Sequence, residues 1–209
     1  MLNRRHFSAS LALPLVVTGV TSPLFAQGSV ATVGQAAPDF SAMDTAGKNY
    51  KLSDLKGKLV VLEWTNPGCP FVRKHYSGNM QSLQKEFTSK GVVWLAVNST
   101  ETDSVDYLTP AKLAGWMGEK QAAPTATLMD ASGKIGQLYG AKTTPHMYII
   151  NPQGQLIYAG AIDSIASARV DDIKTATNYV RQGLSEALGG KAISVASSRA
   201  YGCSVKYKA

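Results

Sequence analysis

The chain has 209 residues, of which 44% are hydrophobic and 17% are charged, a composition typical of a globular protein. The formal net charge is +7, but the basic residues form no dense run and are not interleaved with aromatic residues, so the sequence does not indicate nucleic-acid binding. It contains no run of about 18 strongly apolar residues that would cross a membrane. We expect one domain of ordinary size with extensions at its ends.

The segment 1–26 has the pattern of a secretory signal peptide. A basic start precedes an apolar stretch over about residues 9–20, and a small residue, Ala26, follows at the cleavage position. Arg4 and Arg5 match the core of a twin-arginine signal. A buried N-terminal helix is the alternative, but Pro14 argues against a long regular one. The leader predicts export to the periplasm, with no membrane attachment after cleavage.

Apolar runs and helical spacing predict the elements in chain order. Residues 27–57 contain short strands and loops. The patterns then predict strands over residues 58–65, 92–97 and 125–129 and helices over about 70–90, 110–120 and 132–139. A hairpin of strands 146–150 and 155–159 follows, and a last helix runs from Asp171 or Asp172 to about Leu188. The connection between the first two strands is long enough for a parallel crossover, and the hairpin strands should pair antiparallel. We therefore predict three segments: a leader (1–26), one domain (27–190) and a polar tail (191–209) that carries Cys203.

Cys69 is the first candidate for a reactive residue because it lies between a buried strand and a helix. Pro70 fits the first helical position, where its missing N–H costs nothing. Free backbone N–H groups and the positive end of the helix dipole favour the thiolate, the nucleophilic form of cysteine. The alternative is that Cys69 is only a small buried apolar residue.

The second cysteine, Cys203, lies near the C-terminal end of the chain, so a bridge to Cys69 would close a very long loop. An exported protein meets an oxidising compartment in which disulfides persist. A bridge across so long a loop would stabilise the fold by about 4–5 kcal/mol in the chain-entropy model. A static Cys69–Cys203 bridge is therefore an alternative to a reactive pair.

Four other positions are candidates for the surroundings of Cys69. Thr144 and Pro145 precede a predicted strand, and a cis Pro145 would turn the backbone of Thr144 toward the strand ends. Trp64, shortly before Cys69 in the chain, is a candidate wall of the substrate site, although aromatic residues in strands more often fill a core. Asn66 is a candidate hydrogen-bond donor to substrate, although Asn-Pro-Gly is also an ordinary turn sequence.

Four segments of the chain resemble a known family: V-G-Q-A-A-P-D-F at Val33–Phe40, L-S-D-L-K-G-K at Leu52–Lys58, N-P-G-C-P-F-V-R-K-H-Y at Asn66–Tyr76, and L-Y-G-A-K-T-T-P at Leu138–Pro145. With the tail Y-G-C-S-V-K-Y, they resemble the redoxin branch of the thioredoxin superfamily, in the peroxiredoxin-like group related to the AhpC/TSA family. The resemblance implies an α/β thioredoxin-like fold, a single domain with a central mixed sheet flanked by helices. It also implies a thiol oxidoreductase without a cofactor.

Departures from the family pattern shape the expected chemistry. Members of the group often have Cys-x-x-Cys, whereas here Asn66 and Cys69 occupy those positions, so no local dithiol can form. True peroxiredoxins hold the peroxide with a Thr or Ser and a Pro, which Asn66 and Leu62 replace. We expect the Cys69 thiolate to attack a peroxide or a disulfide, and Cys203, on a mobile tail, to resolve the product for an unidentified thiol reductant.

Two other classes of function remain open from the sequence. One is a thioredoxin-fold protein that has lost redox activity, since the fold alone does not establish a function. The other is a copper-chaperone-like protein, because Cys69, His75, His146 and Cys203 are possible ligands for copper or zinc. Their spacing is poor for a metal site, and we predict none.

Overall fold

The computed structural model describes residues 30–208, so the predicted leader lies outside the described residues. The strands are β1 (Ser41–Met43), β2 (Asn49–Lys51), β3 (Val60–Trp64), β4 (Val93–Asn98), β5 (Ala126–Met129), β6 (Thr143–Thr144), β7 (His146–Ile150), β8 (Leu156–Gly160) and β9 (Cys203–Ser204). The α-helices are α1 (Pro70–His75), α2 (Asn79–Thr88), α3 (Pro110–Glu119), α4 (Lys134–Tyr139) and α5 (Tyr179–Leu188). Two short 3₁₀ helices lie at Leu52–Leu55 and Val170–Lys174.

Five strands form the central sheet in the order β5-β4-β3-β7-β8. Strands β3, β4 and β5 run parallel, while β7 pairs antiparallel with both β3 and β8. The predicted parallel crossover and antiparallel hairpin are both present, so the prediction of one mixed α/β sheet is confirmed. The small β1–β2 hairpin precedes this sheet.

The central sheet is buried on both faces. Every residue of β3 is buried, which agrees with its continuous apolar sequence. On one face, Val61 packs with Cys69 and α2, and on the other, Leu62 and Trp64 pack with residues of α4. The carboxyl of Glu63 is a polar exception within this core, fully buried in the middle of β3.

Two predicted helices are each divided in the structure. The segment over residues 70–90 forms α1 and α2 because Gly78 adopts a φ of +132°, which ends one helix before the next begins. The predicted last helix consists of the 3₁₀ turn Val170–Lys174 and, separately, α5, which begins after Asn178. The Asn178 side chain accepts a hydrogen bond from the backbone of Arg181 and so caps α5.

The tail does not extend away from the domain. Strand β9 pairs antiparallel with β6, with Thr144 opposite Cys203. In the structure the tail is therefore not a free segment, because backbone pairing holds it beside the sheet, and its mobility stays a prediction. Within residues 30–208, the helices are too short and too polar for any of them to cross a membrane.

Candidate functional site

Cys69 lies where the sequence predicted, at the start of a helix. It is the N-cap of α1, with extended backbone angles and Pro70 in the first turn. Its backbone N–H donates to the carbonyl of Asn66 (3.0 Å), and its carbonyl accepts from the N–H of Arg73 (3.0 Å). The side chain is only 3% exposed. The strand-to-helix junction thus presents the sulfur to the interior and not to open solvent.

Strand β9 brings Cys203 to Cys69. Because Cys203 pairs with Thr144, and the Cys69 Sγ–H donates to the carbonyl of Thr144 (3.0 Å), the two cysteines meet at the same backbone position. The two side chains lie close enough for each to shift the pKa of the other, and both are free thiols. The structure therefore brings together the two cysteines named from the sequence, although they lie far apart along the chain.

The two thiols are electrostatically unequal. Burial opposes ionisation of Cys69, but hydrogen bonds from Cys203 and Thr144 and from the backbone of Val72 outweigh it and lower the pKa of Cys69 below its ordinary value. Burial and the hydrogen bond to Cys69 raise the pKa of Cys203 to about 11. Cys69 is therefore the thiol that ionises first, with Cys203 as its hydrogen-bond donor.

Thr144 and Pro145 form the opposite side of the site. The peptide bond between them is cis. The Thr144 carbonyl accepts from the Cys69 thiol, and the buried Thr144 hydroxyl has no partner other than the Cys69 sulfur among the described residues. That hydroxyl is thus available to stabilise charge on sulfur, whereas Pro145 contributes through the direction it gives to the backbone of Thr144.

Asn66 lines the site but is committed to the turn. Its Oδ1 accepts from the N–H of Gly68 (2.7 Å), and its Nδ2 donates to the hydroxyl of Thr100 (2.9 Å). Both polar ends of the side chain are therefore already used. Asn66 shapes the loop that carries Cys69, which agrees with the turn interpretation of Asn-Pro-Gly.

Trp64 is not brought to the reactive pocket. Its side chain is fully buried on the face of the sheet opposite Cys69, where it packs against Tyr139 and Tyr148. Its Nε1 donates to Ser99 (3.0 Å). Alternation along β3 explains this position, because Trp64 and Leu62 point to one face while Val61 and Glu63 point to the other.

The possible metal ligands do not converge around the cysteines. His75 contacts Tyr201 and Asn79, whereas His146 contacts Tyr148. Burial lowers the pKa of each histidine to about 4, so both are neutral at pH 7. Across residues 30–208, no three His, Cys, Asp or Glu side chains form a group suited to a metal ion.

A cavity of about 70 Å³ adjoins the two cysteines. Asp106 and Lys206 line it, and neither was identified from the sequence. Lys206 comes from the residues after β9, and its carbonyl accepts from the backbone of Glu101 (2.9 Å). The cavity is large enough for a molecule of a few heavy atoms.

A buried polar cluster beside the site was also missed. Lys74 Nζ lies 3.5 Å from Asp163 Oδ2, and the hydroxyl of Tyr201 donates to Asp163 Oδ1. His75 Nε2 lies 3.1 Å from the same hydroxyl. Because Asn79 donates to His75 Nδ1, the neutral ring carries its proton on Nε2 and donates to Tyr201. The sequence signal that could have identified this cluster was Tyr201, which lies in the tail motif close to Cys203.

Comparison with known proteins agrees with this fold. The chain is 30% identical over 139 residues to the thiol-disulfide oxidoreductase ResA of Bacillus subtilis, covering 66% of this chain and 72% of that protein. A hypothetical protein of Sinorhizobium meliloti has a similar structure, with a TM-score of 0.76 and 22% identity over 87% of this chain and 98% of that one.

The thioredoxin domain of a thiol-disulfide oxidoreductase from Bacteroides vulgatus is also similar, with a TM-score of 0.50 and 20% identity over 69% of this chain and 96% of that domain. These structural likenesses establish the thioredoxin-like fold that the sequence predicted. The sequence pattern of the AhpC/TSA family matches residues 33–159, which is more than half of the chain and includes Cys69. The chain belongs to the AhpC/TSA family.

Proposed function

We propose that this protein is a thiol-disulfide oxidoreductase in which Cys69 is the nucleophile and Cys203 the resolving cysteine. The family and the relatives support a thiol-dependent oxidoreductase. The observation that carries the proposal for these residues is the pairing of β6 with β9, which holds Cys203 against a Cys69 of lowered pKa. The pair takes the place of the local dithiol that Asn66 prevents.

The reaction requires two exchange steps. The Cys69 thiolate attacks one sulfur of a substrate disulfide, forming a Cys69–substrate disulfide and releasing the other half as a thiolate, which takes a proton. Cys203 then attacks Cys69 Sγ, and its proton goes to the second substrate thiolate as it leaves. Two protein thiols become one disulfide while the substrate disulfide becomes two thiols. An external thiol reductant, through the reverse exchange, restores the protein.

The unequal pKa values favour this order of steps. Part of the elevated pKa of Cys203 comes from its hydrogen bond to Cys69 and from the charge on that residue. Once Cys69 is joined to substrate, its sulfur no longer carries a charge, so this contribution to the pKa of Cys203 is lost. Cys203 then ionises more readily, at the stage when it must attack.

Single-turnover reaction with oxidised glutathione tests the two roles. The reduced wild-type protein should release two equivalents of glutathione and end with a Cys69–Cys203 disulfide. Cys203→Ser should retain one glutathione on Cys69 and release about one equivalent, as mass mapping would show. Glutathione release by Cys69→Ser at the wild-type rate would contradict the nucleophile assignment, and full release by Cys203→Ser would contradict the resolving role.

Peroxide reduction is a second candidate, favoured by the small cavity beside Cys69. The thiolate would attack one peroxide oxygen, water would leave, and the resulting sulfenic acid would condense with Cys203 to a disulfide and a second water. Asn66 and Leu62 lack the family's peroxide-holding groups, so slow reaction is expected. Stopped-flow oxidation by hydrogen peroxide, compared with the glutathione reaction, decides between the two substrates.

We propose further that the segment 1–26 directs export and is removed, leaving the domain and its tail in the periplasm. The support is the sequence pattern of basic start, apolar stretch and Ala26. Replacement of both Arg4 and Arg5 by lysine should retain the precursor in the cytoplasm if the twin-arginine route is used. Cell fractionation with mass measurement of the mature chain tests the route and the cleavage position together.

A further inference from the structure

The C-terminal strand covers the nucleophile as well as supplying the resolving cysteine. With β9 paired to β6, Cys69 is 3% exposed and the adjoining cavity holds about 70 Å³. A disulfide substrate must bring a sulfur and both of its substituents to Cys69 Sγ, since exchange requires direct contact with the attacked sulfur. No such molecule fits beside Cys69 while the strand is paired.

Contacts on both sides of Cys203 hold the cover in place. Before it, Tyr201 donates to the buried Asp163, and its ring packs edge-on against Phe71 with centroids 5.8 Å apart. After it, Tyr207 donates to the carbonyl of Ala141 (2.7 Å). The backbone of Val205 also donates to the carbonyl of Lys142 (3.1 Å). Hydrogen bonds and ring packing therefore hold the chain against the domain both before and after Cys203.

Gly202 is the point of closest approach between the cover and the site. Its φ is +136°, and a Cβ at this position would overlap the carbonyl oxygen of Thr144, the same oxygen that accepts from Cys69. Only glycine combines this backbone angle with so close an approach. A side chain at residue 202 would therefore push β9 off β6 without altering any residue of the domain itself.

We propose that β9 is a substrate-selective cover: it must leave β6 before a disulfide reacts with Cys69, and it must return for Cys203 to resolve the mixed disulfide. Hydrogen peroxide is small enough for the cavity and does not require the cover to leave. This inference rests on the proposed roles of the two cysteines. It adds that the position of one strand decides which class of oxidant reaches the nucleophile.

Gly202→Ala tests the cover, with Gly190→Ala as the matched control. Gly190 also has a positive φ, but a Cβ there meets nothing within 4 Å. In Gly202→Ala, mixed-disulfide formation on Cys69 with oxidised glutathione should be about tenfold faster, because a larger fraction of molecules is uncovered. Release of the second glutathione should be slower, because Cys203 is held away. Reaction with hydrogen peroxide should change less than the first glutathione step.

The Gly190→Ala control separates the cover from a general loss of stability, because it places a side chain at a positive φ without the contact to β6. Equal first-step rates in wild type and Gly202→Ala would overturn the cover, as would the same acceleration in Gly190→Ala. Tyr201→Ala, which removes an anchor outside the pairing, provides a second variant that should change the two steps in the same directions. If no variant forms a mixed disulfide on Cys69, the proposed function fails and not the cover alone.

Discussion

At the scale of single residues, ionisation of Cys69 depends on a donor supplied by the far end of the chain. The sulfur is buried, which by itself would raise its pKa, and hydrogen bonds reverse that effect. The Cys203 side chain is the first of these donors. Cys203 thus acts before its own chemical step, by favouring ionisation of Cys69 while β9 is paired with β6.

Replacement of Cys203 by two residues that differ in one atom isolates this hydrogen bond. Serine keeps a donor at the position and alanine does not, and each variant leaves Cys69 as the one cysteine in the chain. The pKa of Cys69 should therefore be lower in Cys203→Ser than in Cys203→Ala, because a donor favours the charged form of its acceptor. Ultraviolet absorbance of the thiolate as a function of pH measures both values. Coincident titration curves would show that Cys203 does not act through its donor.

Residue-level predictions from the sequence succeeded where local position determined the environment. The junction of a strand and a helix placed Cys69, and the adjoining Pro70 marked the helix start. Trp64 lies on the other face because its environment depends on alternation along β3 and not on its distance in sequence from Cys69. Asp163 joins the cluster around Tyr201 by tertiary contact, for which the sequence carries no local signal.

At the scale of elements, the tail behaves as part of the fold. Its composition suggested a free segment because no hydrophobic period runs through it. Two tyrosines, the β6–β9 pairing and further backbone hydrogen bonds hold it instead, and such scattered contacts leave no periodicity in the sequence. The divided helices have a similar origin, since the apolar spacing continues through residues 70–90 although the backbone breaks at Gly78.

Removing single hydroxyl groups from the two tail tyrosines tests which anchor matters more. Tyr201→Phe removes the bond to the Asp163 carboxylate, and a hydrogen bond to a charged group contributes about 1.5–3 kcal/mol. Tyr207→Phe removes a bond to a neutral carbonyl, which contributes about 0.5–1.5 kcal/mol. Urea unfolding of the reduced proteins should show the larger loss of stability for Tyr201→Phe. The reverse order would mean that the Asp163 cluster does not anchor the tail.

At the scale of the whole molecule, the parallel crossover and the antiparallel hairpin were accessible from the sequence because each connection limited the topology. A long connection between apolar strands allows a parallel crossover, and a short turn-rich link favours an antiparallel hairpin. The meeting of Cys69 with Cys203 was not accessible in this way. It depends on the short pairing of β6 and β9, which leaves no strand pattern in the sequence.

The centre of the sheet carries a carboxyl group that affects stability. Glu63 is fully buried and accepts hydrogen bonds from Tyr76 (2.7 Å), Trp94 (2.7 Å) and Gln84 (3.0 Å). Burial raises its pKa to about 7 against this opposing effect of the three donors. The folded protein therefore holds a proton on Glu63 over a pH range in which the unfolded chain has released it.

Because the pKa of Glu63 differs between the folded and unfolded states, Glu63 makes the free energy of unfolding depend on pH. Below about pH 4.5, Glu63 is protonated in both the folded and the unfolded state. Between about pH 4.5 and 7, Glu63 ionises only in the unfolded chain, so the free energy of unfolding falls as the pH rises. Above about pH 7, Glu63 is ionised in both states and the loss is complete. The shift corresponds to a loss on the order of 3 kcal/mol. Glu63→Gln cannot ionise and lacks this contribution.

Urea unfolding of wild type and Glu63→Gln from pH 4 to pH 8 measures the contribution of Glu63 as the difference between their free energies of unfolding. The buried histidines contribute equally to both proteins, so their contributions cancel. The stability of wild type relative to the variant should fall across pH 4.5–7 and then remain level. Glu119→Gln, which removes an exposed carboxyl from α3, should leave the wild-type profile essentially unchanged in shape. Parallel profiles for wild type and Glu63→Gln would mean that the donors Tyr76, Trp94 and Gln84 offset the effect of burial, so that the pKa of Glu63 is the same in the folded and unfolded states.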